Sequence, residues 1–229
     1  MLSTVAAKTV LEDIASTFER DSKQKLILRF GTAAELKSEI EKGAPCDVAL
    51  LTAAAVDDLI KQGRLTPSSR SAIAKSGVGI AIRKGASSPA IATPDDLKQA
   101  LVAAKSIALS AQGASEPIMK RIFERFGLTE VMNGKTVIVT TTTAPEAVAA
   151  GQAELAFTQI SEILATEGAV LVGPLPPDLQ VYTSFVAGVA ASARDSAAAQ
   201  AFVDLLTAPK TSAVFKAKGL EPSSGLAQR

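Results

Sequence analysis

No histidine occurs in the 229 residues of this sequence. The usual general base at neutral pH, the commonest metal ligand and every histidine-containing triad are therefore missing. Zinc hydrolysis loses its ordinary ligand set as well. Tryptophan is absent and there is one tyrosine, so platforms for stacking bases or sugars are scarce. The one cysteine, Cys46, excludes an intrachain disulfide. Its run Cys46-Asp47-Val48-Ala49-Leu50-Leu51 reads as a buried small hydrophobe rather than a reactive thiol. No stretch reaches the roughly 20 apolar residues of a membrane helix. No GxxxxGK[ST] loop occurs, and Gly77-Val78-Gly79 lacks the third, helix-opening glycine of a dinucleotide fingerprint. The opening Met1-Leu2-Ser3-Thr4 shows no signal-peptide pattern. The expected location is periplasmic if a leader has been removed and cytoplasmic otherwise.

What is present is apolar and evenly charged. Hydrophobic residues make up 47%, charged residues 21%, and the net charge is +1. That balance excludes a strongly basic nucleic-acid surface and an acidic disordered tail. The length suits one large domain or two small lobes. Apolar strands alternate with amphipathic helices. Strands are expected at Lys25–Phe30, Asp47–Leu51, Val78–Arg83, Ser106–Leu109, Thr136–Thr140, Leu155–Thr158, Ala169–Val172 and Val181–Ala191. Helices are expected at Lys8–Glu19, Ala33–Lys42, Ala54–Gln62, Pro94–Ala104, Glu116–Phe126, Pro145–Ala150, Ser196–Leu206 and Lys210–Lys218. Gly63 is placed to cap the third of these. The alternation implies βαβ units and a parallel sheet.

Several strands end alike. Ser3-Thr4, Gly31-Thr32-Ala33, the segment from Ser110 to Pro117, the segment from Thr140 to Pro145, and Thr158-Gln159-Ile160-Ser161 each run through small hydroxyl, amide or glycine residues into a helix. Such ends leave backbone N–H groups unpaired beside the positive end of a helix dipole. One such end is ordinary capping. In an open parallel sheet the strand C-termini share one edge, where ligands bind. Together these ends make a cradle of neutral donors suited to an oxyanion. Lys8 and Lys120, near helix starts, could pair with a carboxylate or simply be solvated. Asp47 is expected to bond nearby backbone N–H groups. Asp57-Asp58 and Asp95-Asp96 sit in first helical turns, where carboxylates suit the dipole.

The stretch from Leu36 to Leu51, with its Gly43-Ala44-Pro45-Cys46-Asp47-Val48 turn, resembles the molybdate-binding family of transporter solute receptors. Val10–Phe18 is similar to that family's first helix, Gly151–Thr158 to the approach to one of its strands, and Ala208–Leu220 to its closing helix. The resemblance covers nearly the whole chain. It implies the two-lobed α/β fold of type II periplasmic binding proteins, with a ligand cleft between lobes joined by two crossing strands. Lobe 1 would be residues 1–80 with 185–229, and lobe 2 residues 81–184. The family's two ligand serines fall at Ala6 and Ala33, its amide donors at Ser115 and Thr141, and its tyrosine at Gln159. Three of those positions carry different side chains, which points to an anion of another shape.

The resulting expectation is a binding protein that clamps a small oxyanion or carboxylate, as receptor for the membrane subunits of an ABC transporter. The ligand-binding residues would be Ser3, Thr4, Lys8, Thr32, Ala33, Ser115, Thr141 and Gln159. No metal, cofactor or nucleic acid is expected, and the chain is expected to be a monomer. The alternative is an isomerase resembling aconitate isomerases, acting on a tricarboxylate. For that chemistry Lys8, Lys120, Glu116 and Glu146 are the candidate proton-transfer groups. A regulatory domain detached from a transcription factor fits the fold class too, but no DNA-binding segment is visible.

Overall fold

The computed structural model describes residues 1–223. The expected lobe 1 runs on to residue 229, and residues 224–229 lie outside the described ones. In chain order the elements are β1 (Leu2–Thr4), α1 (Lys8–Ser22), β2 (Arg29–Gly31), α2 (Ala33–Glu41), β3 (Val48–Thr52), α3 (Ala53–Lys61), β4 (Ser71–Arg83), α4 (Pro94–Ala103), β5 (Ile107–Ser110), α5 (Glu116–Phe126), α6 (Thr129–Asn133), β6 (Thr136–Val139), α7 (Ala144–Ala149), β7 (Leu155–Gln159), α8 (Ile160–Leu164), β8 (Ala169–Pro174), β9 (Tyr182–Val189), α9 (Ser196–Thr207), α10 (Ser212–Ala217) and β10 (Glu221–Pro222). The chain divides into two compact units, Met1–Lys75 with Thr183–Arg229, and Ser76–Tyr182. It leaves unit 1 within β4 and returns at the start of β9.

In unit 1, β1 lies between β2 and β3, all parallel, with Leu2 beside both Arg29 and Ala49. β9 closes β3 in the antiparallel sense, Leu50 opposite Ala187. Successive β3 residues serve opposite faces, as the period of a strand requires. Val48 and Leu50 join Val10, Leu11, Phe18, Phe202 and Phe215 in one core. Ala49 and Leu51 join Leu36, Ile40, Val56 and Leu59 in the other. Phe18 and Phe202 meet edge to face at 4.8 Å and 72°, a geometry the ring quadrupoles favour. α1 buries Val10, Leu11, Ile14 and Phe18 at the expected spacings, and Gly63 follows α3 at φ +69°.

In unit 2, β5 pairs in parallel with β6 and β7, and β4 lies antiparallel to β7 and β8. The expected all-parallel sheet is therefore mixed in both units. One face is filled by Leu97, Leu101, Met119, Phe123 and Phe157. The other is filled by small residues, Ala81, Ala108, Ala147 and Ala156, with Val148 and Ile163. The expected strand Lys25–Phe30 shortens to Arg29–Gly31. Leu26 N–H donates instead to the Glu19 carboxylate at 2.8 Å, and the Ile27 carbonyl accepts the Met1 ammonium at 2.8 Å.

Gly79 of β4 sits opposite Thr158 of β7. A Cβ there would lie 2.8 Å from Leu171 Cδ1, 2.9 Å from Ile160 Cγ1 and 3.0 Å from Ile163 Cδ1. Those side chains hold α8 and β8 against β4. Gly79→Val should therefore cost about 1–3 kcal/mol by overpacking, in spite of valine's preference for strands. Urea unfolding checks this, and a variant as stable as the parent would show that the layer yields freely.

Candidate functional site

The donor edge of unit 1 is built from parallel strand ends. The register that puts Thr4 beside Gly31 makes the ends carrying Thr4 and Thr32 neighbours. Ser3 is fully buried, and its hydroxyl donates to the Thr4 carbonyl at 3.2 Å. Thr4 is 5% exposed, and its Oγ1 has no hydrogen-bond partner among the described residues. Thr32 caps α2, its Oγ1 accepting the Glu35 N–H at 3.2 Å, and Ala33 opens that helix. Lys8 begins α1 and is exposed, with Nζ 6.0 Å from the Phe30 ring centroid. The same edge includes Thr52, at the end of β3, whose side chain makes no cap bond to α3. Sequence reasoning passed over Thr52, although Leu51-Thr52-Ala53 carries the hydroxyl-into-helix signal used elsewhere.

The donor edge of unit 2 gathers the ends of β5, β6 and β7. Ser115 is 1% exposed, and its hydroxyl donates to the Phe157 carbonyl at 3.0 Å. That bond occupies the hydroxyl and brings Ser115 beside the end of β7. Its backbone N–H donates to no backbone carbonyl among the described residues. Gln159, the last residue of β7, is 2% exposed. Thr141 lies exposed between β6 and α7. Ser110 links two of these ends, since its Oγ accepts the Ala144 N–H at 3.0 Å.

The candidate proton-transfer groups are differently disposed. Glu146 is engaged in a capping box, accepting the Thr143 N–H at 2.7 Å. Glu116 pairs with Lys120 at 2.8 Å and accepts the Gln112 N–H at 3.0 Å. The Lys120 contact holds the Glu116 carboxyl below its ordinary range, which makes it a weak base. Sequence reasoning missed Glu162, a part-buried residue whose carboxylate oxygen lies 2.6 Å from Thr158 Oγ1. Burial pushes its carboxyl up to about 7, with the Thr158 hydroxyl acting in the opposite direction. Ser161, one residue earlier, is 2% exposed and its Oγ has no partner among the described residues. Ser161 ends the Thr158–Ser161 strand end read from the sequence but is not among the expected ligand residues, and nothing in the sequence marks Glu162.

Other expectations resolve structurally. Asp47 accepts the Arg194 N–H at 3.0 Å, so its partner is a distant backbone group rather than a nearby one. Cys46 is buried, its thiol donates to the Val48 carbonyl at 3.2 Å, and burial pushes its pKa up. Asp57 and Asp58 lie beyond the first turn of α3, contrary to expectation, and Asp57 pairs with Arg70, whereas Asp95 and Asp96 do open α4 and Asp96 completes a capping box with Thr93. Among the described residues no cluster of three or more His, Cys, Asp or Glu side chains could hold a metal ion. No helix of the described residues is long and apolar enough to cross a membrane.

The model of the family of bacterial extracellular solute-binding proteins matches residues 2–221. The chain belongs to that family. Within it the chain is of the molybdate-binding-like, type II kind. It is 32% identical over 222 residues to the molybdate-binding protein ModA of Azotobacter vinelandii, covering 91% of this chain and 84% of that protein. It is 26% identical over 227 residues to an aconitate isomerase from a Pseudomonas species, covering 97% of this chain and 87% of the isomerase. The solved periplasmic molybdate-binding protein of Azotobacter vinelandii superposes with a TM-score of 0.81 at 20% identity, covering 96% of each chain. The fold is accordingly the two-lobed type II solute-binding fold.

Proposed function

We propose that this chain is a periplasmic solute-binding protein for a small oxyanion or carboxylate. It acts as a monomeric receptor for the membrane subunits of an ABC transporter. Ser3, Thr4, Thr32 and Ala33 in unit 1, and Ser115, Thr141 and Gln159 in unit 2, supply neutral hydroxyl, amide and backbone N–H donors, with Lys8 as the one cation among them. The observation that carries this reading is Thr4 Oγ1, buried at a strand end and without a partner among the described residues. Leaving a buried hydroxyl unpaired costs about 1–3 kcal/mol. A ligand oxygen that accepts its proton removes that cost.

Ala6 and Ala33 stand where the resemblance places the family's ligand serines, so the donor set differs from that of a molybdate receptor. Thermal denaturation with molybdate, tungstate, sulfate, phosphate, citrate and cis- and trans-aconitate tests the anion class. A binding anion at about 100 times its Kd should add about 2.7 kcal/mol of stability. Stabilisation by at least one member is expected, and by none would overturn the proposal. Stabilisation only by molybdate and tungstate would assign the ligand to the oxyanions of the ModA relative.

The 26%-identical isomerase supports a second reading, tricarboxylate isomerisation on the same scaffold. Such a reaction needs a group that gives and takes a proton near neutrality. Among the described carboxyl groups Glu162 has that character. Interconversion of cis- and trans-aconitate, followed by proton NMR, decides the matter. A rate proportional to protein concentration and lost in Glu162→Gln would make the chain an isomerase, and no turnover would leave it a receptor.

A further inference from the structure

The turn from β7 into α8 holds more buried polar chemistry than a cap requires. Thr158, Gln159 and Ser161 are 3%, 2% and 2% exposed. The Ser161 hydroxyl has no partner among the described residues. The Thr158 hydroxyl and a Glu162 carboxylate oxygen are 2.6 Å apart. No cation pairs with Glu162 among the ion pairs of the described residues. With five residues, α8 offers little dipole of its own, so the donors here are side chains.

The elements packed around Glu162 bring it hydroxyl and amide groups but no free charge. α8 packs on β7 and β8, whose sequences, Leu-Ala-Phe-Thr-Gln and Ala-Val-Leu-Val-Gly-Pro, carry no titratable group. The part of β4 paired with both strands is uncharged from Val78 to Ile82, and Arg83 follows, opposite Ala169. α7, which touches both strands, carries Glu146, and that carboxylate is taken up by its capping box. Glu167, in the turn after α8, is exposed.

We propose that Ser161 is a ligand-binding donor of this protein and that anion capture at this turn is coupled to a proton carried by Glu162. The proposal rests on the anion-binding reading above and names a residue and a linkage which that reading lacks. An anion accepting from Ser161 brings negative charge into the same helical turn as a carboxyl already poorly hydrated. Two such charges in one low-dielectric site raise the carboxyl's proton affinity. Glu162 therefore takes a proton from solvent as the anion enters. The sign follows from linkage: affinity is highest where Glu162 is already protonated, and falls by up to tenfold per pH unit as the empty site loses that proton. The decline levels off once the occupied site has lost it too. Carboxylates of weak acids and hydrogen-bonding oxyanions are the ligands served.

Isothermal titration of the wild type, Ser161→Ala and Glu162→Gln with molybdate, sulfate, citrate and trans-aconitate, between about pH 5.5 and about pH 8.5, tests this. Two buffers of different ionisation enthalpy give the protons exchanged. Ser161→Ala should weaken binding at least about tenfold, the worth of one hydrogen bond to a charged group. It should keep or raise the thermal midpoint, since it removes an unpaired buried hydroxyl. The wild type should take up as much as about one proton above neutrality, and Glu162→Gln none, with its affinity flat in pH. Unchanged affinity in Ser161→Ala overturns the donor assignment. An undiminished pH slope in Glu162→Gln overturns the proton linkage. If the wild type binds no probe at any pH, the anion-binding reading itself fails and this proposal fails with it.

Discussion

Glu162→Gln is expected to be more stable than the parent at alkaline pH and equal to it in acid. Burial raises the Glu162 carboxyl from an ordinary 4.5 to about 7 in the folded protein. Below the lower value both states carry the proton, and the group adds no pH dependence. Between the two values the folded protein keeps a proton that the unfolded chain has released, so stability falls as pH rises. Above the upper value both states are ionised and the penalty is constant. At about 1.4 kcal/mol per pKa unit it amounts to about 3 kcal/mol. Glutamine retains a donor and an acceptor for Thr158 and carries no charge to desolvate, so it escapes that penalty. For a chain of this size about 3 kcal/mol corresponds to roughly 5–10 °C in midpoint. The measurement is the difference in midpoint between variant and parent from about pH 4.5 to about pH 8.5. It should open from near zero in acid to its full value above neutrality. A difference that stays constant over the range would show that Glu162 is well solvated.

The alternation of apolar runs with 3.6-periodic helices carried the α/β class and most element positions, because burial on a strand or a helix stripe leaves a local imprint. α5 falls at Glu116–Phe126, where the stripe Ile118, Met119, Ile122 and Phe123 is unbroken. Direction of pairing leaves no such imprint. A buried central strand is apolar whether its neighbours run with it or against it, so β4 and β9 read like the parallel strands and the mixed sheets were not visible. Lys25–Phe30 was overread, because Leu26, Leu28 and Phe30 do pack on the core while the Leu26 N–H is taken by a carboxylate from α1 instead of a neighbouring strand. At the site, Ser3, Thr4, Thr32, Ser115 and Gln159 were legible as small polar residues between a strand and a helix. Ser161 belonged to the same kind of strand end without standing out as a ligand residue, and Glu162 did not stand out at all. What distinguishes them is lost hydration and a missing partner, and both are properties of the three-dimensional surroundings.

Phe157→Ala should cost about 3–5 kcal/mol. The ring is fully buried in β7, among Leu97, Met119 and Phe123 on one face of unit 2. Removing it leaves a void that close-packed neighbours fill only in part. The backbone at the same position serves the site, because the Phe157 carbonyl accepts the Ser115 hydroxyl at 3.0 Å. That bond survives truncation of the side chain, and Gln159 and Ser161 remain two and four residues downstream. At a temperature where the variant is folded, anion affinity should therefore stay within a few-fold of the parent, while urea unfolding shows the full loss. Ser161→Ala is expected to give the opposite pair of results, weak binding in a stable protein. A Phe157→Ala loss below about 1 kcal/mol would contradict the close packing around the ring. A loss of binding as large as that of Ser161→Ala would show that the donor edge depends on the core beneath it. Opposite outcomes for residues four apart on one strand-to-helix turn would separate the scaffold from the site it carries.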